Sequence, residues 1–372
     1  SSAASDVYKR QDFGNTREGV AFVPREVGVS NTVHVGAYSE KLDAVVGVKS
    51  ANVGVTGGVS LMGPQTSKGD AFLAHLTDIA TAGAKSGSLT VEFLTNGQGT
   101  SGLAAESVGN GVVALQGKVF RLARGEVTSV VGLGAIREGE QFVAMPVVVS
   151  NAAAADGFSD DLKAVISASN PSWSALGLVE RLAAGSGAVS SPMSVNYVGD
   201  TSRAGLMSTK VNVAYTSLGQ VGTGLADAAP VKPSDEVTVV GKIFRLAEPV
   251  LDRQVVDLGS IRVGGQFSPA TAKLLNASAA DGFSDDLRIV KTVPLGRLRT
   301  DAGVGLIPGG GSASWSVGFD DKDTQRGSEY FGGIRIYSVS SGQVGTGLVD
   351  VELPRTDLVV RARVFEPARV GL

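Results

Sequence analysis

A twelve-residue segment occurs twice in this 372-residue chain, at residues 151–162 and 276–287, and the two copies differ only at Ala153 and Ser278. A weaker third copy at residues 31–42 keeps the asparagine, the aromatic–serine pair, one acid and the leucine. Self-similarity at such a period is the pattern of an array of similar modules. Function is therefore expected in the module or in the array, and not in one active site spread over the whole chain.

The repeat predicts three modules, residues 1–122, 123–246 and 247–372, each large enough to bury its own core. Residues 1–11 do not match the segments that precede the later modules and resemble translated adapter sequence from metagenomic assemblies. We treat them as a non-native leader. We expect the chain to be a fragment of a longer array.

Composition excludes several classes of function. The net charge is −3 with both signs scattered, so no basic surface for nucleic acid is predicted. There is no cysteine, which removes disulfides, thiol nucleophiles and thiolate metal sites. No apolar run reaches the ~18 residues of a membrane-spanning helix. The two histidines have no copies in the later modules, so we predict that the chain is not an enzyme.

Apolar residues alternate with polar ones in two segments of every module. This period of two predicts half-buried strands, and their one-sided pattern suits antiparallel sheets packed face to face. The middle segment carries Phe72, Ala74, Leu76; Met193, Val195, Tyr197; and Trp315, Val317, Phe319. The last strand carries Val113, Leu115, Val119; Val237, Val239, Ile243; and Leu358, Val360, Val364. We predict an all-β fold of three tandem immunoglobulin-like β-sandwich modules in an elongated array.

Each module opens with a related segment, residues 12–19, 132–139 and 257–264. These segments, with residues 81–87, 97–103 and 117–120, resemble the bacterial choice-of-anchor D repeats and, more distantly, the ASPM/SPD-2/hydin immunoglobulin-like modules. The resemblance implies a part of a large secreted or surface-displayed bacterial protein, located outside the cell or on its surface. It also implies that the partners are other modules of the same parent chain, and that no general catalytic residues exist to transfer.

The acidic phrases, residues 156–161 and 281–286, have two interpretations. Their carboxylates are ligands that calcium prefers, and the candidates are Asp156, Asp160, Asp161, Asp281, Asp285 and Asp286, with a further cluster at Asp320, Asp321 and Asp323. The favoured interpretation is a structural turn, because Asp-Gly steps accept positive φ and aspartate side chains bind neighbouring backbone amides. Any calcium binding is expected to be weak, and no other cofactor is predicted. The aromatic residue and the leucine after the turn are expected to fill the core.

A glycine-rich segment at residues 97–102 fits the spacing of a dinucleotide-binding loop. Its counterparts at 219–224 and 342–347 break that spacing, and a strand follows where a dinucleotide site needs a helix. We predict a loop between strands.

These features favour a non-catalytic structural or spacer segment of a larger bacterial protein. The alternative is an adhesin or carbohydrate-binding array, in which loops near Trp173 or residues 305–314 contact surface glycans or proteins. In that alternative Trp173, in a loop-like segment, is the candidate ligand-binding residue.

Overall fold

The structure, a computed structural model, describes residues 10–187, 192–303, 305–319 and 326–371. The strands of module 1 are β1 (Arg10–Arg17), β2 (Arg25–Asn31), β3 (Lys41–Lys49), β4 (Val53–Gly57), β5 (Val59–Met62), β6 (Thr66–Leu76), β7 (Gly83–Asn96) and β8 (Glu106–Phe120). Those of module 2 are β9 (Gly125–Val127), β10 (Val130–Arg137), β11 (Met145–Pro146), β12 (Val149–Asn151), β13 (Asp161–Ser167), β14 (Trp173–Leu176), β15 (Leu178–Leu182), β16 (Ser194–Tyr197), β17 (Gly205–Leu218) and β18 (Ser234–Phe244). Those of module 3 are β19 (Pro249–Leu251), β20 (Val255–Arg262), β21 (Ala270–Asn276), β22 (Asp286–Leu295), β23 (Leu298–Thr300), β24 (Leu306–Ile307), β25 (Ser312–Phe319), β26 (Ser328–Ser341), β27 (Val351–Glu352) and β28 (Thr356–Phe365).

Each module is built from a large sheet that faces one or two smaller ones. The large sheets have the orders β1-β8-β7-β3-β5, β10-β18-β17-β13-β15 and β20-β28-β26-β22-β24, with β27 added to β26. The facing sheets are β2-β6-β4 in module 1, β11-β16-β14 and β12-β9 in module 2, and β19-β21-β25-β23 in module 3. The predicted all-β, immunoglobulin-like sandwich class is confirmed.

The alternating residues lie between these sheets. Buried side chains form three clusters, drawn from residues 13–119, 123–243 and 247–364. The alternating residues of the middle strands and of the last strands all belong to these clusters. Their burial follows from the strand period, because every second side chain points to the same face.

One strand pairing in every module runs against the antiparallel expectation. β1 pairs in parallel with β8, β10 with β18, and β20 with β28. Residues Arg10 and Gln11, which the sequence predicts to be part of the leader, belong to β1 and pair with β8. The alternation pattern shows which face of a strand is buried, but not the direction in which the neighbouring strand runs. The parallel pairing therefore could not be predicted from it.

A β-bulge interrupts each parallel pair at a glycine of the opening segment. In module 1, Asp12 pairs with Gln116 but Asn15 pairs with Lys118, so β1 holds one extra residue. Gly14 lies within this bulge with φ of +69°, a value that a Cβ atom makes costly. The equivalent Gly134 and Gly259 have φ of +82° and +85°.

Beyond the bulge, an arginine and a phenylalanine become register partners at the end of the parallel pair. The partners are Arg17 and Phe120, Arg137 and Phe244, and Arg262 and Phe365. We call each of these pairs the Arg–Phe end of its module. Because an extra residue re-aims the side chains that follow it, the bulge sets the direction in which the arginine leaves the sheet.

Gly134→Ala is expected to destabilise module 2 by about 1–2 kcal/mol, because alanine disfavours the left-handed backbone at this position. Gly132→Ala is the matched control in the same strand. A Cβ atom at either residue meets nothing within 4 Å, but only Gly134 has a positive φ. Urea unfolding of both variants measures the difference. Equal midpoints for the two variants would contradict a strained bulge.

Candidate functional site

The repeated acidic phrases lie where consecutive modules meet. We call the contact between modules 1 and 2 joint 1, and the contact between modules 2 and 3 joint 2. At each joint the acidic phrase of the later module contacts the Arg–Phe end of the earlier one. The two joints use equivalent residues in the ion pair, the linker and the aromatic contact.

A buried ion pair is the centre of each joint. Nε of Arg17 donates to Oδ2 of Asp160 at 2.8 Å, and Nε of Arg137 donates to Oδ2 of Asp285 at 2.8 Å. Both aspartate side chains are fully buried, while the arginine side chains are 15% and 7% exposed. Because the protein interior screens charge poorly, removing either residue would leave the other as an uncompensated buried charge.

The same arginines also reach the chain that follows the glycine-rich loops. Nη2 of Arg17 donates to the carbonyl of Ala226 at 2.6 Å, and Nη2 of Arg137 donates to the carbonyl of Val349 at 2.7 Å. At joint 1, Asn15 adds a hydrogen bond from Nδ2 to the carbonyl of Thr223 at 2.8 Å. The loops lie between strands, as predicted, and their part in the joint is to offer backbone acceptors.

A buried serine ties each linker to the ion pair. The amide of Ala123 donates to Oγ of Ser217, and this hydroxyl donates to Oδ2 of Asp160, both at 2.8 Å. At joint 2, Ser340 connects the amide of Ala247 to Asp285 with the same two distances. A charge-assisted chain of this kind fixes the linker relative to the carboxylate.

The linkers pair with the acidic phrase through the backbone. The amide of Arg121 donates to the carbonyl of Phe158, and the amide of Asp160 donates to the carbonyl of Arg121, both at 2.9 Å. Nη1 of Arg121 also binds Oδ2 of Asp156 at 2.6 Å and Oγ of Ser159 at 3.0 Å. No free tether therefore separates modules 1 and 2.

Joint 2 repeats this linker pairing with Arg245 in place of Arg121. Its Nη1 binds Asp281 at 2.7 Å and Ser284 at 3.1 Å. The hydrogen bond from the arginine is the main cause that lowers the pKa of Asp156 and of Asp281 below the ordinary value. The hydrogen bond from the backbone amide of Phe158 or Phe283 lowers each pKa further. Both carboxylates therefore stay ionised at neutral pH.

The aromatic residue of the phrase contacts the neighbouring module. The Phe158 ring lies 5.9 Å from that of Phe120, and the Phe283 ring lies 6.0 Å from that of Phe244, both in tilted contacts. The expectation that this aromatic fills its own core is wrong, because the turn directs it outward to the earlier module. The leucine does fill the core, as Leu162 is fully buried there.

A buried asparagine holds the phrase in place from inside its module. Nδ2 of Asn151 donates to the carbonyls of Asp160 and Leu182, each at 3.1 Å, and its Oδ1 accepts from the amide of Arg124 at 3.1 Å. Asn276 makes the equivalent bonds in module 3. The sequence shows this asparagine in all three modules, but its neighbours at the linker become visible only in the fold.

Five of the six calcium candidates in the phrases pair with arginine side chains. Asp156, Asp281, Asp160 and Asp285 bind the arginines described above. Oδ1 of Asp156 accepts from the amide of Phe158 at 3.0 Å and Gly157 has φ of +82°, which agrees with the turn interpretation. Within the residues that the structure describes, no group of three or more acidic or histidine side chains is placed to hold a metal ion. Calcium binding stays a prediction without support from this geometry.

The last aspartate of each phrase has different surroundings in the two modules. Asp161 pairs with Nη1 of Arg181 at 2.5 Å. In module 3 the residue equivalent to Arg181 is Leu306, since Leu182 and Ile307 occupy equivalent register positions. Burial, and then the nearby charge of Asp285, raise the pKa of Asp286 above its ordinary value.

The remaining candidates lie elsewhere. Asp320, Asp321 and Asp323 fall outside the described residues. Trp173 begins strand β14 and is only 6% exposed, packed at 5.0 Å between ring centroids against Tyr197. The expected loop position of Trp173 is therefore wrong, because this four-residue strand is too short to show an alternating pattern.

Comparisons with known proteins do not identify a family for this chain. No protein-family model matches the sequence, and no curated protein matches it. Among solved structures, a Porphyromonas gingivalis W83 protein of unknown function is 16% identical, with 64% of this chain and 99% of that one covered and a TM-score of 0.25. The human Desmocollin-1 ectodomain is 10% identical, with 97% and 61% covered and a TM-score of 0.31. The ASH/PapD-like domain 7 of human CEP192 is 12% identical, with 33% and 89% covered and a TM-score of 0.25. At these TM-scores the likenesses carry no conclusion about this chain.

Arg137→Ala is expected to destabilise module 3 by about 3–5 kcal/mol, because it leaves the Asp285 charge buried without its partner. Urea unfolding followed by Trp315 fluorescence, in a Trp173→Phe background, measures this loss in a chain with two tryptophans. Arg262→Ala is the matched control. It changes the equivalent but exposed arginine, and we expect an effect within about 0.5 kcal/mol. Similar losses in both variants would contradict the role of the ion pair.

Asp286→Asn is expected to raise the melting temperature of module 3 at pH 7. The raised pKa of Asp286 means that the folded chain holds this proton more tightly than the unfolded chain. Stability therefore falls as pH rises from the ordinary value of 3.8 through the raised value, and the asparagine removes this loss. Calorimetry should show a gain that shrinks as the pH approaches 4.

Asp161→Asn is the matched control for that experiment. It removes the partner of Arg181, so we expect it to lower the melting temperature of module 2 at pH 7. A higher melting temperature in both variants would show that the difference between Asp161 and Asp286 does not come from having Leu306 in place of an arginine.

Proposed function

We propose that the chain is a non-catalytic structural segment that holds its modules in a fixed end-to-end order within a larger bacterial secreted or cell-surface protein. The observation that carries this proposal is the repeated joint, in which a buried ion pair and a backbone-paired linker connect each module to the next. The conspicuous polar residues of the repeat serve these contacts.

The joints support a spacer because they restrict rotation between modules. A linker in extended pairing with the next module has few free backbone torsions. The ion pair adds a directional constraint, since the guanidinium offers Nε to the carboxylate and Nη2 to a carbonyl in one fixed plane. Stability in such an array accrues from each module and from each nearest-neighbour contact.

The bacterial surface location and the choice-of-anchor D assignment form part of this proposal and rest on the opening segments and their order in the sequence. The described part of the chain contains no helical segment that could span a lipid bilayer. The partners proposed for the chain are further modules of its parent protein.

Small-angle X-ray scattering tests the spacer. A single compact domain of 372 residues has a radius of gyration of about 21 Å. We expect a value well above this for three modules held end to end. The double variant Arg17→Ala/Arg137→Ala is expected to broaden the distance distribution, whereas Arg262→Ala leaves it unchanged.

A radius near the compact value, or a broad distribution in the unmodified chain, would overturn the spacer. Specific retention on a glycan array would favour the adhesin alternative instead. Turnover of a glycoside or ester that is lost when one module's acids are changed to amides would contradict the absence of catalysis.

A further inference from the structure

The side of the large sheet in module 3 that points away from the core carries exposed apolar side chains. Phe331 in β26 is 62% exposed, and Val359 in β28 is 39% exposed. Their strand neighbours fill the module 3 core, so every second residue of these strands lies on the opposite, solvent side. We call the surface formed by the following residues the outer face of module 3: Phe331, Gly333, Arg335, Val359 and Arg361.

Gly333 lies at the centre of this face without a structural need for glycine. It has no positive φ, and the register between β26 and β28 is unbroken from residue 328 to residue 336. A Cβ atom there would make only ordinary contacts, the nearest at 3.5 Å to the carbonyl of Leu358. At Gly332, by contrast, a Cβ atom would meet Leu298 at 2.6 Å, so core packing explains that glycine. A strand glycine without such a reason is typical of a place where a ligand approaches the backbone.

Two arginines lie beside the space that Gly333 leaves open. Along β26, Phe331 and Arg335 are each two residues from Gly333, or about 7 Å. Arg361 is the register partner of Phe331, and its Cζ lies 5.4 Å from the centroid of the phenylalanine ring. A guanidinium stacked on a ring in this way keeps its N–H groups available to an anion.

The acids beside this face are paired with other arginines. Asp257 and Glu329 lie 2.9 Å and 3.5 Å from Arg363, and Asp357 lies 2.8 Å from Arg355. Within the described ranges, Arg335 and Arg361 therefore have no acidic partner. The face combines a shallow apolar trough with two uncompensated positive charges, which complement a ligand that is both apolar and anionic.

Modules 1 and 2 lack this combination at the same register positions. Lys210 of module 2 takes the place of Gly333 and pairs with Glu236 at 2.7 Å, which closes the trough. In the order of Phe331, Gly333, Arg335 and Arg361, the equivalents are Ser208, Lys210, Asn212 and Val240 in module 2 and Ser86, Ser88, Thr90 and Gln116 in module 1.

The equivalent face of module 2 shows that neighbouring modules leave this side of the sheet free. Ser208, Lys210 and Asn212 are all exposed, although module 2 has a neighbour at both of its ends. A further module after module 3 would therefore leave its outer face open to solvent.

We propose that the outer face of module 3 binds an anionic polysaccharide, a chain of sugar rings that carry carboxylates. A sugar ring lies in the trough over Gly333 and Val359 with its C–H groups against Phe331, whose ring face is electronegative. Arg335 and Arg361 donate to the carboxylates on either side, since a guanidinium matches the planar geometry of a carboxylate.

A sugar chain suits this face better than an acidic peptide. Extended peptides bind sheets at an edge, where backbone groups are free, but β26 lies between β28 and β22. From Phe331 to the exposed Tyr337 the face runs about 20 Å along the strand, which requires a ligand of several rings. The site goes beyond the spacer, and it differs from the adhesin alternative because it uses the sheet and not the loops near Trp173.

Affinity electrophoresis of the 372-residue chain in gels that contain polygalacturonate or alginate tests the proposal at low ionic strength. We expect retardation by at least one of the two polymers. The methyl ester of that polymer keeps the rings but loses the charge, so its affinity should be lower by at least about tenfold. Phe331→Ser and Arg361→Val, which introduce the module 2 residues, should each weaken binding by about tenfold.

Two controls separate binding from folding and from net charge. Gly333→Lys is expected to abolish retardation without lowering the urea midpoint, because an interior glycine weakens a strand. Lys242→Asn removes an exposed positive charge from module 2 and should leave the affinity unchanged.

No retardation by either polymer, equal affinity for the methyl ester, or full affinity in the Gly333→Lys variant would overturn the proposal. Equally tight binding of polyglutamate would replace the sugar with an acidic peptide, and dimers that Phe331→Ser dissociates would replace it with a second copy. None of these outcomes changes the radius of gyration of a single chain, so failure of this site is distinct from failure of the spacer.

Discussion

The buried arginine–aspartate pair at each joint is the interaction on which the arrangement of the modules depends. Both charges are removed from water, so separating them leaves each one buried without a partner, which is energetically costly. The modules therefore have one favourable relative placement. The pair is not a simple source of stability, because Oδ1 of Asp160 and of Asp285 lacks a hydrogen-bond partner among the described residues. Its main effect is to fix direction, since the same guanidinium also binds a carbonyl of the later module.

Local backbone geometry places that arginine. A glycine in the left-handed region allows one extra residue in the first strand of the large sheet, and the register after this bulge sets the arginine beside the terminal phenylalanine. The next residues of the chain then pair directly with the acidic phrase of the following module. A short opening segment of the sequence therefore determines a contact with a module that lies more than a hundred residues further along the chain.

The sandwich follows from the sequence because burial on one face leaves a period of two, as in Trp315, Val317 and Phe319. The direction of β1 leaves no such trace, so the parallel pairing with β8 could not be predicted. The role of Asp160 was hidden for a related reason. The repeat shows that the acid recurs, but its partner Arg17 lies in another module. The only sign of the pair in the sequence is that the arginine and the aspartate recur with the same period. Trp173 was misplaced because a strand of four residues shows too little pattern.

Every module carries one half of a joint at each end, and this has a consequence for the way such genes change length. Recombination between two copies of the repeat inserts or deletes a whole unit, and the new neighbours still present an arginine to an aspartate. Because residues 151–162 and 276–287 are nearly identical, modules 2 and 3 present the same acidic phrase to whichever module precedes them. The number of modules can thus change without a compensating mutation at the joints.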